Sequence, residues 1–164
     1  NEEIKLLKEK ILNLDKNYIF KNLKNIEEEI LNLKENFSKI EKNYILNDPT
    51  KNIINDHKKN DFLIRTQIVY GINSKEIRGL VDENKKILNS SVIIILGIEN
   101  HKITVAVGIT KNLLEKFNAI EVLKNLLTLL GGKGGGGRPD FAMGGAQNVN
   151  EIDSAIKKTV SILN

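Results

Sequence analysis

The chain contains no cysteine and no tryptophan among its 164 residues, and only two histidines, two prolines and one methionine. Without cysteine there is no disulfide framework, no thiolate nucleophile and no thiolate zinc site, so thiol redox chemistry is excluded. The two histidines, His57 and His101, leave few ways to build a histidine metal site or a Ser/His/Asp triad. No apolar run approaches the roughly 18 residues that mark a membrane span. The start, Asn1-Glu2-Glu3-Ile4, is acidic where a signal peptide is basic. The expectation is a cytoplasmic chain with no membrane partner. Because Asn1 stands where an initiating Met would, the chain is also expected to be a piece of a longer polypeptide.

Hydrophobic residues make up 40% of the chain and charged residues 28%, proportions of a globular protein rather than a disordered one. Lys and Arg number 25 against 21 Asp and Glu, a net charge of +4. That balance suits a nucleic-acid partner without singling one out.

From Leu23 the apolar residues Leu23, Ile26, Ile30, Leu33, Phe37, Ile40 and Tyr44 alternate in steps of three and four, the a/d seam of a heptad repeat. Ile4, Leu7, Ile11, Leu14 and Tyr18 keep the same spacing. The step from Tyr18 to Leu23 is five, so the two seams are out of register and a bend or hairpin is predicted near Asp15 to Phe20. Packing of this helix on its own domain is the alternative, but the narrow stripe favours association between chains. Residues 1–50 are therefore predicted to form a helical coiled-coil arm that dimerises through Leu23, Ile26, Ile30, Leu33, Phe37 and Ile40. Asn47-Asp48-Pro49 ends the helix. A polar linker from about Asn47 to Asn60 is predicted to follow, with His57 solvated in it.

Residues 51–164 are predicted to form a globular α/β (α+β) domain, a small mixed sheet covered by helices. Phe62 to Tyr70 is rich in branched and aromatic residues and ends at Gly71, as a strand does. Asn73 with Glu76 is a capping box opening a helix that carries Ile77, Leu80, Val81, Asn84 and Leu88 at helical spacing. Ser91 to Ile98 and Lys102 to Ile109 read as an antiparallel hairpin around Glu99-Asn100-His101, with His101 exposed at the turn. Val92 to Leu96 has no polar alternation, the mark of a strand covered on both faces. Asn118 with Glu121, then Asn148 with Glu151, are two further helix starts, leading to Val122, Leu123, Leu126, Leu127 and Leu130, and to Ile152, Ile156, Val160 and Leu163.

Residues 131–145 are the most unusual stretch: six of the seven residues from Gly131 to Gly137 are glycine. Such a loop lets another molecule approach the backbone N–H groups. Lys133 and Arg138 flank the glycines, so donors and positive charge coincide, suiting a phosphate, a sugar edge or the face of a base. Pro139 stiffens the exit. Asp140 braces Arg138 or its own backbone, and Phe141 either anchors the loop to the core or stacks on a base. Flexible linkers are usually rich in Ser and seldom lie between two helices of one domain. A phosphate-binding P-loop needs a preceding strand and a terminal Lys-Ser or Lys-Thr, and a Rossmann turn needs a strand-to-helix context. Neither context is present.

The run GGKGGGGRPDFAMGG resembles the glycine-rich signature of the C-terminal region of alanyl-tRNA synthetases, the C-Ala or DHH-associated type of domain. Gly131, Gly132, Lys133, Arg138, Pro139, Asp140 and Ala142 fall on that signature. One extra glycine, and Met143 in place of Gln, depart from it. The order strand, helix, two strands, helix before it is also similar to that family. A related domain accompanies the DHH phosphoesterases, but their Asp-His-His motif is absent, since Asp56-His57 is followed by Lys58.

The resemblance implies a non-catalytic module of an alanine–tRNA ligase that contacts the elbow of alanine-specific tRNA and assists aminoacylation and editing. On that basis Lys133, Gly134, Gly135, Gly136, Gly137, Arg138, Asp140 and Phe141 are the expected tRNA contacts. No cofactor is expected in this segment. ATP, magnesium and zinc belong to domains expected upstream in the parent. The alternatives are the nucleic-acid-binding domain of a DHH-family phosphoesterase and a purely structural dimerisation module.

Overall fold

A computed structural model describes residues 2–132, 134–147 and 149–163, without the side chains of Leu14 and Asp15. The chain divides into two compact units, Asn1–Asn43 and Tyr44–Asn164.

The first unit belongs to a helix, α1 (Glu2–Asn47). It runs unbroken through the segment where the register step predicts a bend or hairpin. Residues 1–47 contain neither Gly nor Pro, so nothing in the backbone breaks it. The step of five rotates the apolar stripe around the helix rather than interrupting the helix. Glu2 and Glu3 in the first turn complement the positive end of the helix dipole. The seam is in solvent: exposure runs from 45% at Ile30 to 68% at Phe37. The helix stops at Asn47, as Asn47-Asp48-Pro49 predicts. There the Asp48 Oδ1 accepts hydrogen bonds from the Thr50 N–H (2.9 Å) and the Thr50 hydroxyl (2.6 Å). Among the described residues no helix is long and apolar enough to cross a membrane.

In the second unit six strands form one mixed sheet: β1 (Asn52–Lys58), β2 (Leu63–Tyr70), β3 (Ser91–Glu99), β4 (Lys102–Ile109), β5 (Gly134–Arg138) and β6 (Phe141–Ala146). Their spatial order is β1-β2-β3-β4-β6-β5. Only β2 and β3 are parallel, joined across α2 (Ser74–Ile87); every other pair is antiparallel. β3 is buried on both sides, as its unbroken apolar run predicts. Val92, Ile94 and Leu96 enter a core shared with α3 (Ala119–Leu129) and α4 (Ile152–Ile162), while Ile93 and Ile95 meet Ile77, Leu80 and Val81 of α2.

Two of the predicted helix starts are present in atomic detail. The Asn73 side chain accepts from the Lys75 N–H (3.0 Å) and the Asn118 side chain from the Ile120 N–H (2.9 Å), satisfying donors that the first helical turn leaves free. Asn148 lies outside the described residues; α4 follows a short 3-10 turn, Val149–Glu151.

The predicted linker over residues 47–60 is incorrect, because β1 occupies most of it. As an edge strand it has only one neighbour, so its polar residues face solvent or form structural bonds and the apolar alternation is missing. Asp56 accepts two hydrogen bonds from the Arg65 guanidinium, at 2.7 and 2.6 Å. These bonds hold its carboxyl below the usual carboxylate range. Arg65 also donates to the Asn84 Oδ1 (3.0 Å), Asn84 donates to Gln67 (3.1 Å), and Gln67 donates to Asn52 (2.8 Å). A chain of side-chain bonds thus fastens β1 through β2 to α2. His57 is half-buried in this strand, with its Nε2 3.5 Å from the Thr66 hydroxyl.

The turn between β3 and β4 is made by Asn100 (φ 48°) and His101 (φ 62°), two left-handed residues whose twist matches the hairpin. Asn tolerates this conformation, whereas His pays for its Cβ. His101→Gly is expected to stabilise the domain by about 1 kcal/mol in urea unfolding; unchanged or lower stability would show that the turn is unstrained.

Candidate nucleic-acid interface

Where the glycine content suggests a loop, residues 134–146 form a β-hairpin, β5 and β6, at one end of the sheet. β5 pairs with β6 in register from Gly134 with Gly145 to Arg138 with Phe141, leaving Pro139 and Asp140 as a two-residue turn. That turn is docked. The Asp140 carbonyl accepts from the Ile109 N–H (3.0 Å) and the Lys85 ammonium (3.1 Å), and the Pro139 carbonyl from the Ala119 N–H (2.9 Å). Glycine is depleted from ordinary strands because it costs entropy and packs nothing. Here β6 and α3 supply the packing, so composition misleads.

Alternate residues of β5 have opposite surroundings. A Cβ on Gly135 would lie 2.9 Å from the Gly144 Cα and 3.0 Å from the Leu127 Cδ1 of α3, and one on Gly137 would collide with the Phe141 carbonyl oxygen. A Cβ on Gly144 would meet the Gly134 oxygen and the Leu127 Cδ1, both at 2.7 Å. Gly135 and Gly144 let α3 close on the hairpin, and Gly137 lets β5 lie close against β6. Gly134 and Gly136 are different: nothing lies within 4 Å of a Cβ built on either. They project to the face away from α3, together with Arg138, because side chains alternate along a strand. Cross-strand register puts Gly145, Met143 and Phe141 on that face, and beyond them Thr104 and Ala106 of β4. The result is a strip of backbone with no side chains above it at the sheet's edge.

Charge is concentrated at the turn. The Arg138 side chain is 68% exposed and its Nε lies 3.2 Å from the Asp140 carboxylate, whose other oxygen is 3.3 Å from the Lys85 ammonium. Burial opposes ionisation of Asp140, but Lys85 and Arg138 together hold its carboxyl below the ordinary range. Asp140 therefore braces Arg138, as one reading of the sequence has it. Phe141 anchors: it is half-buried against the core under α2 and covered by the Arg78 guanidinium at 5.3 Å. Lys133 lies outside the described residues. At the opposite end of the hairpin an open cleft of about 480 Å³ is lined by Lys102, Thr104, Gly131, Gly132, Gly145 and Gln147.

Lys85 was not legible as part of this site. It sits 55 residues from Asp140 in the chain, and its only sequence signal is a place in the last turn of α2. Among the described residues, no three His, Cys, Asp or Glu side chains are grouped to hold a metal ion.

The DHHA1 domain family matches residues 60–164. The chain belongs to this family. The DHHA1 match takes in every strand but β1, and so includes the whole hairpin. An alanine–tRNA ligase of Ruegeria sp. (strain TM1040) is 40% identical over 97 residues, 59% of this chain and 11% of that protein. One from Parvibaculum lavamentivorans is 45% identical over 87 residues, 52% of this chain and 10% of that protein. The chain thus spans about a tenth of the length of these relatives. Among solved structures, the C-Ala domain from Aquifex aeolicus alanyl-tRNA synthetase matches with a TM-score of 0.62 at 29% identity, covering 66% of this chain and 97% of that one. The resemblance noted in residues 131–145 and the DHHA1 fold agree.

The two classes of glycine separate experimentally. Gly135→Ala, Gly137→Ala and Gly144→Ala are each expected to destabilise by about 1–3 kcal/mol through overpacking. Gly134→Ala and Gly136→Ala are expected to stay within about 0.5 kcal/mol of wild type. Thermal unfolding of the five variants checks the division, and equal losses at all five positions would refute it.

Proposed function

We propose that this chain is the tRNA-contacting and self-associating C-terminal region of an alanine–tRNA ligase, and that it contributes no catalytic group itself. The carrying observation is that Gly134 and Gly136 lie side-chain-free on an open face with no packing reason to be glycine. Their use is to let another molecule approach the backbone, and Arg138 beside them supplies a cation suited to phosphate. The alanine–tRNA ligase relatives support tRNA as that molecule. Lys133 and the strand Gly134 to Gly137 complete the contact surface, while Asp140 and Phe141 hold it in place. ATP, magnesium and zinc are assigned to other parts of the parent protein, in the cytoplasm.

Recognition on this face rests on shape and backbone contact, since glycine carries no group to read a base edge. Gly136→Val is expected to keep the fold and weaken binding of alanine-specific tRNA without changing its salt dependence. Arg138→Ala is expected to weaken binding and lower the slope of log affinity against log salt by about 1, one phosphate contact fewer. Filter binding at several salt concentrations reads both effects; wild-type affinity in both variants sinks the assignment.

Self-association is assigned to the exposed seam Leu23, Ile26, Ile30, Leu33, Phe37 and Ile40, because a two-in-seven apolar stripe in water is buried by pairing with another helix. Sedimentation equilibrium is expected to show a dimer, and Ile30→Glu with Ile40→Glu a monomer. A wild-type chain that stays monomeric as its concentration rises would contradict this part.

A further inference from the structure

Beside the docked turn of the hairpin lies a second groove, of about 610 Å³, between the end of α2 and the segment after β4. Lys85, Lys86, Asn89, Lys111, Asn112 and Asp82 line it. Each of its two walls is anchored to a neighbouring element. The Thr110 hydroxyl accepts from the Ser91 N–H (2.9 Å), fixing the base of Lys111. Lys85 spans from α2 to Asp140 at the hairpin turn. Lys85 thereby links the groove to Asp140 and, through that carboxylate, to Arg138.

The electrostatics of the groove are one-sided. Lys85 is committed to Asp140, but no carboxylate engages Lys86 or Lys111 among the described residues, and both are exposed. Asp82, one helical turn before Lys86, is the groove's one acidic side chain among the described residues. Asn89 and Asn112 are exposed amides that can donate to phosphate or ribose oxygens.

We infer that the groove carries the sugar-phosphate backbone of RNA onward from the glycine hairpin, with Lys86 and Lys111 as its phosphate contacts. This rests on the tRNA reading of the hairpin and extends it. The bound strand crosses the β5 face, passes Arg138 and continues between α2 and the Lys111 turn. Lysine suits this use, since a point charge holds a phosphate without fixing sequence.

The test compares the full chain, Lys86→Ala with Lys111→Ala, Asp82→Asn, and Arg138→Ala, each binding an alanine-specific tRNA transcript across a salt series. The double lysine variant is expected to lose about tenfold in affinity near physiological salt and about 1.8 in salt slope, from two fewer phosphate contacts. Asp82→Asn is expected to tighten binding about twofold by removing a like charge from the phosphate path, a gain that a merely structural role for the lysines would not produce. Wild-type affinity and slope in the lysine variant, with Arg138→Ala weakened, overturns the groove and leaves the hairpin reading standing. No binding by the wild-type chain overturns both. Competition by polyglutamate of matched charge as strong as that by RNA also overturns the groove, identifying an acidic protein as its partner.

Discussion

Burial of β3 on both faces is the constraint from which the rest of the second unit follows. A strand that reads Val92-Ile93-Ile94-Ile95-Leu96 must be covered twice. α2 meets the first requirement as the crossover between parallel β2 and β3, and α3 with α4 meets the second. The antiparallel hairpin to β4 then extends the sheet, and β4 offers its free edge to β6. The glycine hairpin exists as structured backbone because this edge and the side of α3 are already in place. Gly135 and Gly144 have no side chain with which to stabilise a strand pair, so β4 and Leu127 stabilise it for them.

Much of this was legible from residue types. The capping asparagines Asn73 and Asn118 mark helix starts because their side chains bond first-turn N–H groups, and the bonds are there. The two-sided strand and the hairpin after it follow from periodicity. What escaped has a common physical cause. β1 has one neighbour and spends Asn52 and Asp56 on side-chain bonds, so its pattern is that of a polar connector. The hairpin escaped because a strand of glycines has no side-chain alternation of its own and is stabilised by β6 and Leu127 packed against it. Lys85 escaped because its partner, Asp140, lies 55 residues away in the chain. The register step in α1 marks a change of apolar face, which is compatible with an unbroken helix when neither Gly nor Pro is present.

In the candidate site, the glycine-rich signature resolves into two physical roles on opposite faces of one strand. Toward α3, absence of a side chain permits closure. Toward solvent, the same absence leaves open space. A single composition signal therefore covers close packing and open surface at adjacent positions. The arrangement fixes where charge can act, because Arg138 is the first side chain along the outward face and is held by a carboxylate shared with α2.

β5 is also the last strand of the sheet, and its outer edge has no partner among the described residues. Sheet proteins usually guard such edges with lysines, prolines or bulges that make a second strand unwelcome. Across Gly134 to Gly137 there is no guard at all, and Arg138 and Pro139 protect only the end. On the proposed function a bound nucleic acid would stand in for the missing protection, so that the strand with the barest outward face is also the one most exposed to unwanted strand addition whenever it is empty.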